Sequence, residues 1–98
     1  MAAEERTYKS LRDALPEAGV VHRLNLSKQN LKAVPPGIGK LPNLYHLNLS
    51  HNQLRELPAF LFTLSKLEEA LLQNNRLTQL PAEINQLSHL RELYLGEN

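Results

Sequence analysis

The chain is 98 residues long, one domain's worth, and carries 11 basic residues, 10 acidic residues and no cysteine. Charges that cancel this closely encode no bulk attraction to nucleic acid or to a membrane surface, and no apolar run reaches the roughly 18 residues a span requires. The first ten residues, MAAEERTYKS, are charged and lack an apolar stretch of the secretory kind, so no signal peptide is expected.

Residues 1–19 stand apart from the rest of the chain. Tyr8, Leu11 and Leu15 fall at helical spacing, and Glu4 and Glu5 suit a helix N-terminus. Glu5–Lys9 and Lys9–Asp13 are opposite charges four residues apart. Pro16 stops the helix. The pattern predicts an amphipathic helix that caps the next segment.

From Val20 onward the chain repeats itself. Leu44, Leu47, Leu49, Leu54, Leu57 and Pro58 recur 23 residues earlier as Val21, Leu24, Leu26, Leu31, Val34 and Pro35. They recur 23 residues later as Leu67, Ala70, Leu72, Leu77, Leu80 and Pro81, and again from Leu90 through Leu93 and Leu95. Ile38, Leu61 and Ile84 share a further offset, as do Leu41, Leu64 and Leu87. The units are 20–43, 44–66, 67–89 and a partial 90–98. Within each, the alternation Leu47-Asn48-Leu49 has the period of a half-buried strand. A single unit would leave its core open on one side, so the units must stack. Stacking in one orientation makes the strands parallel, joined by right-handed crossovers.

These residues resemble the leucine-rich repeat. Leu44-x-x-Leu47-x-Leu49-x-x-Asn52-x-Leu54-x-x-Leu57-Pro58 carries the likeness, with its counterparts from Val21 and Leu67. The 23-residue length and the Leu-Pro at the strand's far side resemble the intracellular subclass found in Ras-group-related scaffold proteins. The resemblance covers about Val20 to Asn98. It implies an α/β fold, a right-handed solenoid or horseshoe, with a parallel sheet on the concave face and short helical or 3₁₀ turns on the convex face. It implies that Asn52, Asn75 and Asn98 form a ladder that satisfies the turns. Extracellular members are usually closed by disulfides, so the lack of cysteine points to the cytoplasm.

Two departures from the pattern stand out. Gln29 occupies the first ladder position, with the same amide on a longer arm. Ala70 replaces a core leucine, which costs about 2–5 kcal/mol if the hole stays open. Phe60 and Phe62, on the convex side, either pack between coils or form a small patch for a partner. Leu93 and Leu95 have no following coil, and the reading is a fragment of a longer array or an edge covered by something else.

Enzymatic chemistry finds no foothold. His46 and His51 lie about 16 Å apart on an extended chain, too far to share a metal. His89 is assigned to the convex side. Pro35-Pro36-Gly37-Ile38-Gly39-Lys40 fails as a phosphate loop, because Val34 and Leu41 stand where Gly and Ser or Thr are needed. Asn25-Leu26-Ser27 and Asn48-Leu49-Ser50 match a glycosylation pattern but are read as ordinary strand residues. No catalysis, cofactor, metal or small-molecule substrate is expected.

The concave face remains. Residues between the buried leucines point outward, and the candidates for binding are Arg23, Lys28, Tyr45, His46, Asn48, His51, Glu69, Leu71, Gln73, Glu92 and Tyr94. The rows Arg23–His46–Glu69–Glu92 and Lys28–His51–Asn74–Glu97 run from basic to acidic. Leu71 and Tyr94 form an exposed apolar-aromatic pair of the kind that anchors interfaces. The expected function is non-catalytic protein–protein interaction, with a protein partner and neither nucleic acid nor membrane. The alternatives are a targeting or regulatory segment of a larger signalling enzyme (a GTPase, kinase or ubiquitin ligase) and a structural spacer.

Overall fold

The computed structural model describes residues 6–98. Five parallel strands form one sheet in chain order: β1 (Thr7–Tyr8), β2 (Arg23–Asn25), β3 (His46–Asn48), β4 (Glu69–Leu71) and β5 (Glu92–Tyr94). From β2 onward each residue pairs with the one 23 positions later, so Leu24, Leu47, Ala70 and Leu93 stand directly behind one another. Tyr8 extends that row from β1. The first three repeat members are buried and Leu93 is half-buried. The side of the sheet facing the leucines is the core, and the other side is open.

Each strand returns to the next through a 3₁₀ turn: Pro36–Lys40, Ala59–Thr63 and Ala82–Gln86. The sequence dictates that geometry. Ile38, Leu41 and Leu44 are three apart, and in a 3₁₀ turn residues three apart eclipse one another. The backbone follows suit: Ile38 N–H donates to Pro35 O at 3.1 Å, Leu41 to Ile38 O at 3.2 Å and Leu44 to Leu41 O at 3.2 Å. The same chain of bonds repeats from Pro58 and from Pro81. The preceding Pro35, Pro58 and Pro81 are extended, with φ of −62°, −75° and −64°, values their rings favour.

The segment before the repeats differs from the single helix expected. Tyr8 lies on β1, paired with Leu24, and is buried. The α-helix α1 covers only Leu11–Ala14 and runs into a 3₁₀ turn over Leu15–Val20. The start is set by Ser10, an extended residue whose hydroxyl accepts the amide of Asp13 at 3.2 Å. Lys9 therefore precedes the helix, and the expected Lys9–Asp13 pairing along a helix face has no helix to lie on. Pro16 tightens the turn, and Glu17 leaves helical geometry at φ −119° and ψ 31°. Glu4, Glu5 and the Glu5–Lys9 pair lie outside the described residues.

Two glycines let neighbouring segments close up. A Cβ on Gly37 would lie 3.3 Å from Cδ1 of both Leu11 and Leu15, so the short helix packs there. A Cβ on Gly39 would lie 3.3 Å from Cδ1 of Phe60. Phe60 is thus half-buried over the preceding coil, while Phe62 is 3% exposed within the core. The two phenylalanines pack between coils, one of the two readings the sequence allowed. The coil that ends in β5 is looser: Leu80 is 41% exposed, and Leu93 and Leu95 are half-buried.

The asparagine ladder holds the other ends of the strands. Asn52 Oδ1 accepts the amides of Gln29 and Leu31, each at 3.0 Å, and its Nδ2 donates to Leu26 O and Leu49 O, each at 3.0 Å. Asn75 joins Leu54 N to Leu49 O and Leu72 O in the same way. Asn98 joins Leu77 N to Leu72 O and Leu95 O. Gln29 uses its longer arm to reach back, donating from Nε2 to Lys9 O at 3.2 Å.

Candidate functional site

The open face of the sheet carries the candidate residues in registered columns. Thr7, Arg23, His46, Glu69 and Glu92 form one row across the five strands. Its members are tied in pairs. Arg23 Nε donates to Thr7 Oγ1 at 3.2 Å, and His46 Nδ1 lies 2.5 Å from Glu69 Oε1. At the acidic end, the Tyr94 hydroxyl donates to Glu92 Oε2 at 2.6 Å. That bond, and the Glu92 charge itself, push the Tyr94 phenol above its ordinary 10.0.

A second row runs Asn25–Asn48–Leu71–Tyr94. Its two halves behave differently. Asn25 Oδ1 accepts the amide of Ser27 at 3.0 Å, and Asn48 Oδ1 accepts the amide and hydroxyl of Ser50 at 2.9 and 2.6 Å. These asparagines close the turn that leaves the strand, a device asparagine performs well. Leu71 and Tyr94 can do nothing of the kind. Leu71 is half-buried, and Tyr94 is 42% exposed, among the largest apolar exposures of the described residues. The glycosylation-like triplets at Asn25 and Asn48 thus have a structural explanation in turn closure.

The remaining expected residues sit at the margins of the face. Lys28 and His51 share a left-handed turn position with Asn74 and Glu97, with φ of 58°, 57°, 58° and 60°. That conformation is natural for Asn74, is met more often by histidine than by most side chains, and is least favoured for Lys28 and Glu97. Gln73 follows β4, and its Oε1 is buried without a hydrogen-bond partner among the described residues.

At the opposite margin, where the strands begin, a groove of about 470 Å³ runs across three coils. It is lined by His22, Asn43, Tyr45, Lys66, Glu68 and His89. Tyr45 stacks on His22 with ring centroids 5.9 Å apart, and the Arg23 guanidinium stands 6.0 Å from the Tyr45 ring centre. Lys66 Nζ donates to Asn43 Oδ1 at 2.7 Å, and Asn43 Nδ2 donates to Gly19 O at 2.7 Å. His89, expected on the convex side, instead lines this groove, with Nδ1 3.0 Å from Ser65 O. The last 3₁₀ turn ends at Gln86, and the turn that follows it brings His89 to this margin before β5 begins. Asn43, Lys66 and His89 were not among the candidates. A signal existed: they share one repeat offset, and all three are polar beside buried Leu44 and Leu67 and half-buried Leu90.

Among the described residues no group of three His, Cys, Asp or Glu side chains converges as a metal site. The arrangement is a broad ridged surface with a shallow groove at its margin.

A profile of the leucine rich repeat family matches residues 20–77 and again residues 42–98. Among curated proteins, none matches the sequence closely enough to count as a relative. Solved structures do. A leucine-rich-repeat protein of Leptospira interrogans superposes with a TM-score of 0.90 at 42% identity, covering 97% of this chain and 24% of that one. An internalin C2 of Listeria monocytogenes gives 0.70 at 27% identity, covering 82% and 35%. A plant peptide hormone receptor, RGFR1 in complex with RGF2, gives 0.69 at 31% identity, covering 96% and 15%. The chain thus spans about a quarter of the Leptospira protein's length, and little more than a third of the internalin's. With stacked registered strands, an asparagine ladder and a family profile over most of its length, this chain belongs to the leucine-rich repeat family.

Proposed function

We propose that the chain is a non-catalytic protein-recognition module that works through its concave sheet face, with Leu71 and Tyr94 at the centre of the contact. One observation carries this reading. At a column where two repeats use asparagine to close their own turns, the next two place a leucine and a tyrosine that serve no turn and face solvent. Tyrosine in that setting is a frequent anchor of interfaces. The peptide hormone receptor among the structural neighbours, solved with RGF2 bound, is consistent with such a use of the fold.

The 23-residue period, the Leu-Pro pairs at Leu57-Pro58 and Leu80-Pro81 and the lack of cysteine support placing the module in the cytoplasm. They also support a kinship with the Ras-group-related scaffold subclass. The second reading is a targeting or regulatory segment of a larger signalling enzyme (a GTPase, kinase or ubiquitin ligase); it is compatible with the small share of each neighbour's length that the chain covers. In that case the same face does the targeting.

The test compares proteins captured by the wild-type chain with those captured by Leu71→Asp and by Tyr94→Ala. A convex-side change, Lys40→Glu, serves as the control. Partners lost with the first two and kept with the third support the reading. Capture unchanged by Leu71→Asp and Tyr94→Ala would sink the concave-face proposal.

A further inference from the structure

The face is not evenly charged, and the unevenness follows strand order. The outward residues of β2 and its flanks include Arg23 and Lys28, with His22 beside them. Those of β3 are Tyr45, His46, Asn48 and His51, without a lysine, arginine or carboxylate. Those of β4 and β5 include Glu68, Glu69, Glu92 and Glu97 against Arg91, which lies 3.8 Å from Glu68, and Lys66 at the groove margin, which donates to Asn43. Cation lies at one end and carboxylate at the other, with the apolar pair Leu71–Tyr94 over the carboxylate end.

We infer, on the footing of the protein-binding reading, that the occupant of this face is a partner segment of opposite polarity. It crosses the strands with an acidic group over Arg23 and Lys28 and a lysine or arginine over β4 and β5. Charge complementarity across an interface fixes orientation and rejects wrong partners, since like charges brought together are strongly unfavourable.

The acidic end is furnished for a long cation. Leu71 and Tyr94 are paired neighbours, as are Glu69 and Glu92 in the next row along the same two strands. A lysine or arginine stem lies over Leu71 while its charge meets Glu92 and the Tyr94 ring, the arrangement such side chains favour. Glu69 is already held by His46 and Glu92 by Tyr94, so the carboxylates are oriented before a partner arrives. The two ends are three strands apart, about 14 Å at the usual strand spacing. An extended segment spans that with about four residues between its charges, and a helical one with about nine.

The test is selection from a library of random peptides, carried out on the wild-type chain and on Glu92→Lys/Glu97→Lys. The double variant reverses the acidic end without touching the His46–Glu69 pair. Lysine is compatible with the left-handed backbone at 97, because Lys28 occupies the equivalent turn at φ 58°. Circular dichroism and a thermal melt establish that the variant folds. The expected wild-type selection is peptides holding an acidic and a basic residue at a preferred separation. On the variant the basic residue drops out and acidic ones accumulate. Enrichment that Leu71→Asp abolishes but that shows no charge preference, or the same preference on both proteins, overturns the polarity inference and leaves the binding reading standing. No enrichment dependent on Leu71 overturns both.

Discussion

The side-chain oxygen of Asn52 accepts the backbone amide of Gln29 at 3.0 Å, across one full coil of the solenoid. The same amide group also ties Leu31 N–H to the carbonyls of Leu26 and Leu49. One buried side chain thus satisfies both donors and acceptors that the turn would otherwise strand. Removing it by Asn52→Ala leaves each such group unpaired at a cost of about 1–3 kcal/mol, so the loss in unfolding free energy is several kcal/mol. Asn98 makes equivalent bonds but is exposed, where water replaces a lost partner, and Asn98→Ala should cost about 1 kcal/mol or less. Urea unfolding of the two variants checks this, and equal losses would contradict the ladder's dependence on burial.

The convex phenylalanines separate in the same way. Phe62 is buried within the core, and Phe62→Ala should cost about 3–5 kcal/mol. Phe60 lies half-exposed over Gly39, and Phe60→Ala should cost clearly less. Thermal melts of both settle the order. A Phe60 variant as unstable as the Phe62 variant would mean that the Gly39 contact is far stronger than its exposure indicates.

Much of this architecture is legible in the sequence alone. Leu24, Leu47, Ala70 and Leu93 share an offset, and only stacking in register gives them a common interior; the observed pairing puts them there. The ladder of Asn52, Asn75 and Asn98 follows from the resemblance to the leucine-rich repeat, and the amide that both donates and accepts is what the buried turn needs. The N-terminal segment departs from the expected helix because Tyr8, Leu11 and Leu15 fit a helical spacing while Ser10 offers a competing cap. Adding a strand to β2 satisfies backbone groups that a covering helix would leave open. The position of His89 is hidden from the sequence because repeat offsets identify equivalent residues but not where a 3₁₀ turn hands over to the strand.

The left-handed turn at His51 yields a stabilising change. His51 has φ 57°, a conformation that costs a side chain with a Cβ roughly 1–2 kcal/mol. Asn74 shows what the position favours, since asparagine tolerates this backbone through its short polar side chain. His51→Asn should therefore raise stability by a few tenths to about 1 kcal/mol, read as a higher urea midpoint at unchanged slope. His51 is exposed on the face margin, so a lower midpoint would show that the imidazole makes a contact that outweighs its strain.

The Tyr94–Glu92 contact gives the face a measurable alkaline response. The phenol is raised above 10.0, first by its hydrogen bond to Glu92 and then by that carboxylate's charge. Tyrosine is neutral when protonated, so the folded chain keeps this proton to higher pH than the unfolded chain does. The stabilisation it contributes is complete below pH 10.0 and fades as pH climbs through the folded value. Glu92→Ala removes these two largest causes together and leaves the smaller ones, partial burial and the Glu69 charge, so the phenol moves back toward its ordinary range and the contribution shrinks. Absorbance titration of the phenolates should show the wild-type curve displaced to higher pH relative to the variant, by the share of one tyrosine in three. Tyr8 is also raised, by burial and by Glu17, but it is common to both proteins and cancels in the difference. Superimposable curves would show that the 2.6 Å contact is not held in solution. The carboxylate at the acidic end of the face would then be free to turn toward a partner instead of standing ready for one.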